Sequence, residues 1–166
     1  EVITEFVRFV TENVDCCERS LSIGHLTGSA WLVSRDGERA LLMHHRKLNR
    51  WLQPGGHADG SSDLAQVALR EAEEETGLIN LQVFPEIFDL DRHTIPARGA
   101  EQEHEHFDMR FIVQATGSED FVQNEESLAL SWFEIKKLAE NSELDSSIQR
   151  MAIKWLSSTT KFASNS

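Results

Sequence analysis

The chain has 166 residues, the usual length of one domain, and its 40% apolar and 27% charged residues are typical of a globular protein rather than a disordered or collagen-like one. Sixteen lysines and arginines stand against 28 aspartates and glutamates, which gives a formal net charge of −12. Because so acidic a chain repels long nucleic acids and anionic membranes, neither is expected as a partner, although a small anion can bind if metal ions intervene.

The cysteines and the first residues bear on where the protein works. Cys16 and Cys17 are adjacent, which suits neither a disulfide framework nor a spaced zinc site, so two free, semi-buried thiols in a reducing compartment are expected. The sequence contains no run of about 18 apolar residues, so no membrane-spanning helix is predicted. The first residues lack the basic region and cleavage site of a secretory signal. The expected location is therefore the cytoplasm.

Hydrophobic spacing predicts a helix at the start of the chain, followed by a hairpin. Helical spacing of apolar residues over residues 1–19 predicts the helix. The apolar positions are Ile3, Phe6, Val7, Val10 and Val14. Residues 28–33 and 39–45 are predicted strands, and the turn residues Asp36 and Gly37 between them indicate a hairpin.

The middle of the chain contains a strong helix signal. Residues 54–56 read Pro-Gly-Gly, and residues 59–63 form a Ser/Asp-rich segment typical of a helix cap. The following residues, 62–76, contain no glycine or proline and are rich in Ala, Leu and Glu, which predicts a helix. Gly77 is the expected end of this helix.

The second half of the chain is predicted to form further strands and a last helix. Residues 81–90 indicate a strand interrupted at Pro85, and alternation of apolar and polar residues predicts strands over 107–113 and 128–132. The last helix, over about 144–157, carries its apolar residues on one stripe. They are Leu144, Ile148, Met151, Ala152 and Trp155. This order predicts one α/β (α+β) domain covering the whole chain, with a mixed β-sheet sandwiched between helices.

Four carboxylates lie within five positions of the central helix. At about 100° per residue, Glu71, Glu74 and Glu75 share one face, while Glu73 points to the opposite side. The same stripe is apolar one turn earlier, so the acids continue a buried face instead of a solvated one. Three anions at the edge of a core repel one another and resist desolvation, and a divalent cation would relieve both effects. Oxygen ligands alone select Mg²⁺ or Mn²⁺.

An alternative interpretation of this helix is that the glutamates face water and that Arg70 forms an ordinary salt bridge with Glu74 four residues on. The residues before the helix favour the metal site. Gly55 and Gly56 permit close backbone approach and free a carbonyl oxygen to act as a ligand. A basic segment, residues 44–50, precedes them and contains Arg46 and Arg50 as candidate substrate-binding residues. Because arginine suits phosphate oxygens, a small phosphorylated substrate is indicated, unless the segment is simply a solvated strand end.

These residues together resemble the Nudix box, G-x5-E-x7-R-E-U-x-E-E-x-G-U, in which U is apolar. The matching positions are Gly56, Arg70-Glu71-Ala72, Glu74-Glu75 and Gly77-Leu78, and residues 51–56 resemble the W-x-x-P-G-G segment common in the family. Ser62 stands where the family has its first glutamate, which leaves catalytic strength and the number of metal ions open and makes Ser62 a candidate helix cap. The chain is identified as a member of the Nudix family, whose fold is a mixed sheet between helices.

The resemblance implies hydrolysis of a diphosphate linkage in a nucleoside diphosphate derivative or a similar small phosphorylated metabolite, with Mg²⁺ or Mn²⁺. It implies that Glu71, Glu74 and Glu75 are metal ligands, with a further ligand from the carbonyl of Gly56 or Gly55. Glu71 is also a candidate base, and Arg70 would orient the carboxylates. Dimers are plausible in the family, so a homodimer is an open expectation.

Two further segments supply candidate catalytic or binding residues. Many family members use a glutamate from a late loop, for which Glu126 is the candidate here and Glu125 a close rival. His104 and His106 precede a predicted strand and share one of its faces, so they could contact substrate phosphate, act as a base or bind metal. Nearby acids are expected to raise the pKa of both histidines, which favours a phosphate clamp over a base.

Two other functions compete with hydrolysis. An isomerase of the isopentenyl diphosphate type uses a related fold with a catalytic cysteine, but Cys16 and Cys17 lie in the N-terminal helix, away from the box. A non-catalytic Nudix-fold module would bind a nucleotide or regulate a partner. Loss of box carboxylates would favour that module, yet only Ser62 departs from the pattern.

Overall fold

The computed structural model describes residues 1–125 and 127–162, which contain four helices and seven strands. The helices are α1 (Val2–Glu12), α2 (Leu64–Thr76), α3 (Ile135–Glu140) and α4 (Ser146–Phe162). The strands are β1 (Gly24–Val33), β2 (Arg39–His45), β3 (Arg50–Leu52), β4 (Gly55–His57), β5 (Leu81–Ile95), β6 (His104–Ala115) and β7 (Ser127–Glu134).

All seven strands join one mixed sheet. Its main order is β3-β2-β1-β6-β5, with β4 paired to β1 and β7 paired to β2. The β1–β6 pair is parallel over its full length and the other pairs are antiparallel. Every residue of β1 is buried, because helices cover both faces of the sheet at this strand. The predicted mixed sheet is confirmed.

Alternate residues of β1 enter two separate apolar cores, one on each face of the sheet. Leu26, Ala30 and Leu32 pack with α1 and α2, whereas Trp31 and Val33 pack with α3 and α4. This alternation follows from the two-residue period of a strand. The predicted sandwich of a sheet between helices is therefore confirmed.

The N-terminal helix is shorter than predicted. It ends at Glu12 instead of about residue 19, because Asn13 leaves the helical conformation with φ of −128° and ψ of 100°, and its side-chain amide donates to the carbonyl of Phe9. Phe6 and Phe9 are its buried residues, and the ring of Phe9 stacks on that of Phe107 with centroids 4.0 Å apart. The predicted apolar stripe is otherwise exposed, at Ile3, Val7, Val10 and Val14.

The central helix agrees with the prediction except at its cap. Asp63, and not Ser62, is the N-cap residue: its Oδ1 accepts a hydrogen bond from the backbone N–H of Gln66 at 3.2 Å. The candidate role of Ser62 as the cap is therefore wrong, and Ser62 itself is exposed. Gly77 ends the helix with φ of 71°, in the left-handed region that favours glycine.

Several other boundaries differ from the prediction. Strand β5 continues past Pro85 to Ile95, with shifts in register between Val83 and Asp89. The short elements β3, β4 and α3 were not predicted, since they have too few residues to show a period. The last helix runs over Ser146–Phe162 instead of 144–157. Within the described ranges, no helix has the length and apolar character needed to cross a membrane.

Candidate active site

Strand β4 lies directly against the carboxylate-bearing helix. Gly55 and Gly56 pair with Ser29 and Gly28 of β1, which fixes the position of the two glycines in the sheet. A Cβ atom at position 56 would lie 2.6 Å from Cδ of Glu71 and 2.8 Å from each of its carboxylate oxygens. Only glycine therefore lets the strand approach this carboxylate so closely.

The neighbouring glycine contacts a second carboxylate of the same helix. The backbone N–H of Gly55 donates to Oε2 of Glu75 at 3.0 Å. Glu75 is buried, with 8% of its surface exposed, so this hydrogen bond to a charged acceptor partly replaces the water that the carboxylate has lost. Strand β4 thus contacts Glu71 through one glycine and Glu75 through the other.

The four carboxylates of the helix differ in exposure. Glu71 and Glu75 turn towards β4, Glu74 is exposed beside them, and Glu73 is also exposed. Nη2 of Arg70 lies 3.5 Å from Oε1 of Glu71 and donates to the carbonyl of His57 at 3.4 Å. Arg70 therefore pairs with Glu71, and not with Glu74 as the salt-bridge alternative required.

The candidate metal ligands in this arrangement are all oxygen atoms. The carboxylates of Glu71, Glu74 and Glu75 and the carbonyl groups of Gly55 and Gly56 belong to the donor types that Mg²⁺ and Mn²⁺ take. The missing Cβ at Gly56 leaves room at the Glu71 carboxylate that any other residue would fill. The residues present therefore fit a hard divalent cation.

A late loop packs against the C-terminal end of α2. The N–H of Val122 donates to the carbonyl of Thr76 at 2.7 Å, and Nδ2 of Asn124 donates to the carbonyl of Glu75 at 3.1 Å. These bonds bring the loop next to the carboxylates. Glu126, the candidate base, lies outside the described residues. Its rival Glu125 is exposed at the end of this loop.

The two candidate arginines lie in different surroundings. Nε of Arg46 donates to the carbonyl of Glu125 at 3.1 Å, which brings Arg46 to the loop beside α2. Nη1 of Arg50 lies 3.3 Å from Oδ2 of Asp145, in the segment before α4. Both arginines are exposed. Arg46 thus contacts the loop that packs against α2, whereas the guanidinium of Arg50 pairs with the segment before α4.

A buried polar network, not found from the sequence, lies on the other face of the sheet. The carboxylate of Asp108 accepts hydrogen bonds from Thr27, Ser29 and Arg110 at 2.7–2.8 Å. Asp108 and Arg110 alternate with apolar residues, a pattern that predicts a solvent-facing side. Both are instead buried, and polar side chains of β1 and β5 pair with them.

The network continues to the sheet edge. Arg110 pairs with Asp89 and Asp91 of β5 at 3.3 and 3.5 Å. Arg150 and Lys154 of α4 also pair with Asp89, at 2.6 and 2.8 Å. These groups lie beside a groove of about 680 Å³ between α1, β5 and α4, and the glutamates of α2 do not line it.

The predicted histidine pair lies in a larger cluster of imidazole rings. His106 contacts His104 on its own strand and His25 on β1. Burial, together with the neighbouring histidines His25 and His57, lowers the pKa of His106 to about 2. The expectation that nearby acids raise this pKa is therefore wrong. His25 was missed because its partner lies 81 positions away in the chain.

Comparisons with known proteins agree with this architecture. The family model described as NUDIX domain matches residues 25–156. Among curated protein sequences, none matches the chain.

Three solved structures share the fold at low sequence identity. An Ap4A hydrolase binary complex from C. elegans is 16% identical, with a TM-score of 0.64 over 82% of this chain and 98% of that one. A MutT protein from Methanosarcina mazei is 18% identical, with a TM-score of 0.65 over 84% and 97% of the two chains. The E. coli dihydroneopterin triphosphate pyrophosphohydrolase is 18% identical, with a TM-score of 0.61 over 77% and 94%.

Proposed function

The chain belongs to the Nudix family, and from this premise we propose that it is a metal-dependent hydrolase that cleaves a diphosphate linkage in a nucleoside diphosphate derivative. The observation that carries the proposal is the contact of β4 with α2. Gly56 leaves room for the carboxylate of Glu71, and Gly55 binds that of Glu75. A glycine pair in direct contact with the carboxylates of an acidic helix suits a site that binds a cation and a polyphosphate.

Glu71, Glu74, Glu75 and the carbonyl oxygen of Gly56 would hold Mg²⁺ or Mn²⁺. When bound, the cation would offset the negative charge of the diphosphate oxygens and make a water molecule more acidic. Exposed Glu74 can reach a bound ion from the solvent side, whereas Glu71 and Glu75 are already held at β4. Arg70, 3.5 Å from Glu71, would orient that carboxylate.

A carboxylate would remove the proton from the attacking water. Glu126 is the proposed base, and the hydrogen bonds of Val122 and Asn124 to α2 support this role, because they hold a segment that comes shortly before it in the sequence against that helix. Glu125 and Glu71 are the alternatives.

Substrate phosphate would be bound by the basic residues near this loop. Arg46 is the stronger candidate, since it already contacts the loop at Glu125. Arg50 would first have to leave its exposed ion pair with Asp145, which costs little. Contact of His104 and His106 with the substrate stays a prediction, and a different role for them is argued below.

The substrate is proposed to be a small nucleotide derivative in the cytoplasm. Two of the structural neighbours are named for cleavage of phosphorylated compounds, Ap4A and dihydroneopterin triphosphate. Non-catalytic binding is the second candidate function, and Ser62 in place of the first glutamate of the box favours it.

Turnover of a substrate panel tests the proposal. The panel contains nucleotide sugars, dinucleoside polyphosphates, nucleoside triphosphates, coenzyme A derivatives and isopentenyl diphosphate, each with Mg²⁺, Mn²⁺ or excess chelator. We expect product release from at least one nucleotide derivative, dependent on metal. Turnover that persists in chelator would contradict the metal site. Nucleotide binding without turnover would support the non-catalytic module, and conversion of isopentenyl diphosphate would support the isomerase.

A further inference from the structure

Three histidine side chains from two adjacent strands converge on one point. Nε2 of His106 lies 3.1 Å from Nε2 of His25 and 3.2 Å from Nε2 of His104. One ring nitrogen from each of the three residues lies within 4.8 Å of the other two. The parallel register explains the contact, because His25 is the direct partner of His106 and His104 precedes it by two residues on the same face.

The protonation of these rings leaves lone pairs in the centre of the cluster. Nδ1 of His104 lies 2.8 Å from the carbonyl oxygen of Gln102, which can only accept, so this nitrogen carries a proton. In its neutral form, His104 therefore presents an unprotonated Nε2 to His106. Nε2 of His106 contacts two nitrogens, Nε2 of His25 and Nε2 of His104. Because one ring nitrogen carries at most one proton, Nε2 of His106 can donate to only one of these two nitrogens.

The spacing of the nitrogens matches that of ligands around one ion. Zn²⁺ binds imidazole nitrogen at about 2.0–2.1 Å, so two nitrogens at tetrahedral positions lie about 3.3 Å apart. The two Nε2 contacts of His106, 3.1 and 3.2 Å, are close to this value. The carbonyl of Gln102 would fix the ring of His104, as backbone carbonyls do for many metal-bound histidines.

We propose that His25, His104 and His106 bind one transition-metal ion of the Zn²⁺ class, at a site separate from the glutamates of α2. Three nitrogen ligands favour zinc over magnesium, which takes oxygen. Three protein ligands also leave a fourth position open to water or to an anionic group, an arrangement found in catalytic zinc sites.

Strand β4 separates the two sites. Gly56 faces Glu71 on the side of α2, whereas the ring of His57, the next residue, lies 5.0 Å from that of His25 on the opposite face. A zinc ion at the histidines would therefore not occupy the oxygen site. The inference does not depend on the proposed hydrolysis, and it is tested with the metal alone.

The two cysteines, Cys16 and Cys17, are also potential zinc ligands of this chain. Burial and the adjacent Cys16 raise the pKa of Cys17 to about 11, and Cys16 is buried. Because only the thiolate binds metal well, these residues are poor competitors at neutral pH.

Zinc titration of tag-free, metal-stripped protein tests the site. The titration is read by competition with a chromophoric chelator in excess Mg²⁺, so that oxygen ligands are occupied. We expect one equivalent of Zn²⁺ to bind the wild type and His44→Gln, a matched histidine on β2. His104→Gln and His106→Gln should each weaken binding by about 100-fold or more, because loss of a ligand should exceed the 10–100-fold effect of changes around it.

Co²⁺ substitution identifies the ligands by spectroscopy. We expect intense visible bands of a four-coordinate ion, without a sulfur-to-cobalt charge-transfer band. Equal zinc affinity in wild type and both histidine variants would overturn the proposal, as would loss of binding in Glu74→Gln or Cys17→Ser. Circular dichroism checks folding. If His106→Gln does not fold, His104→Gln at a half-buried position decides the question.

Discussion

The backbone N–H of Gly55 and Oε2 of Glu75 form a 3.0 Å hydrogen bond that joins the edge of β4 to a buried carboxylate of α2. The bond orients Glu75 before any ligand arrives. It also explains how a carboxylate with 8% exposure is tolerated at the rim of an apolar core. Charge and orientation can be separated at this position, because glutamine keeps an acceptor oxygen and loses the charge.

Glu75→Gln and Glu74→Gln should each lower kcat/KM by orders of magnitude while the protein stays folded. The amide oxygen at position 75 can still accept from Gly55, but neither variant supplies the charge that a divalent cation needs. Steady-state kinetics at saturating Mg²⁺ and circular dichroism check this. Glu73→Gln changes an exposed residue of the same helix and should retain activity. Normal turnover in both test variants would refute the proposed metal ligands.

Gly56→Ala should abolish most activity and lower the free energy of unfolding by about 1–3 kcal/mol, the usual range for overpacking. The new methyl group would lie 2.6 Å from Cδ of Glu71 and displace that carboxylate. Activity assays and urea denaturation measure the two effects. Gly99→Ala is the control, since among the described residues no atom beyond its two chain neighbours lies within 4 Å of its added Cβ, although its φ of 59° adds strain. Gly99→Ala should lose some stability and keep its kcat.

Ser62→Glu should leave stability within about 0.5 kcal/mol of wild type, as expected for an exposed residue that does not cap the helix. Its Mg²⁺ affinity should be unchanged or modestly raised, because the added carboxylate lies near the start of α2. Asp63→Ala should instead cost about 0.5–2 kcal/mol, since Asp63 caps the helix. Thermal unfolding compares the variants, and a larger loss in Ser62→Glu than in Asp63→Ala would contradict the capping assignment.

The pH dependence of kcat should identify the base. A carboxylate base should give activity that rises towards alkaline pH, with no limb near pH ~6–7 that a histidine substitution removes. The pKa of His106, about 2, takes this ring out of that range. Profiles of wild type, Glu126→Gln, His104→Gln and His106→Gln decide between the groups. A profile flattened only in a histidine variant, with Glu126→Gln near wild type, would assign the base to histidine.

Acid should destabilise the protein partly through Asp91. Burial alone would raise the pKa of this carboxyl, but the hydrogen bond from His93 and the charges of Arg110 and Arg150 outweigh burial and lower the pKa from 3.8 to about 2. The folded state thus holds the proton more weakly than the unfolded chain. The stabilisation is present above pH ~4 and is lost as pH falls towards 2.

Asp91→Asn should therefore be less stable than wild type at pH 7, and the difference should shrink towards pH 2. Urea denaturation over this pH range measures it. Glu86→Gln, an exposed acid on the same strand, should leave the pH dependence unchanged. A constant difference between Asp91→Asn and wild type at every pH would contradict the assignment.

Local signals account for what the sequence predicted well. Helix α2, its end at Gly77 and the common face of Glu71 and Glu75 depend on composition and on the helical period, both of which are visible in consecutive residues. The presence of Gly55 and Gly56 predicted that the backbone could approach another element closely, without identifying that element. The particular partners, Glu75 for one and Glu71 for the other, depend on how the strand and the helix pack.

The residues that the sequence did not reveal depend on pairing between distant strands. His25 reaches His106 only because β1 and β6 are parallel with His25 opposite His106, a register that no local pattern encodes. Asp108 and Arg110 have the alternation of a solvated face, yet they are buried among polar partners on β1 and β5. In α1 the error was of the opposite kind, because Val7 and Val10 have helical spacing but face solvent.

The complete burial of β1 implies an unequal distribution of local stability. Its amide hydrogens, bonded to β4 and β6, should exchange with deuterium only through global unfolding, whereas β3 at the sheet edge can open on its own. Gly55 and Gly56 are bonded to the slowly exchanging strand. Arg46 lies in the turn that leads into β3. The carboxylate side of the site is therefore held rigidly, while its proposed phosphate-binding arginine can move without disturbing the core.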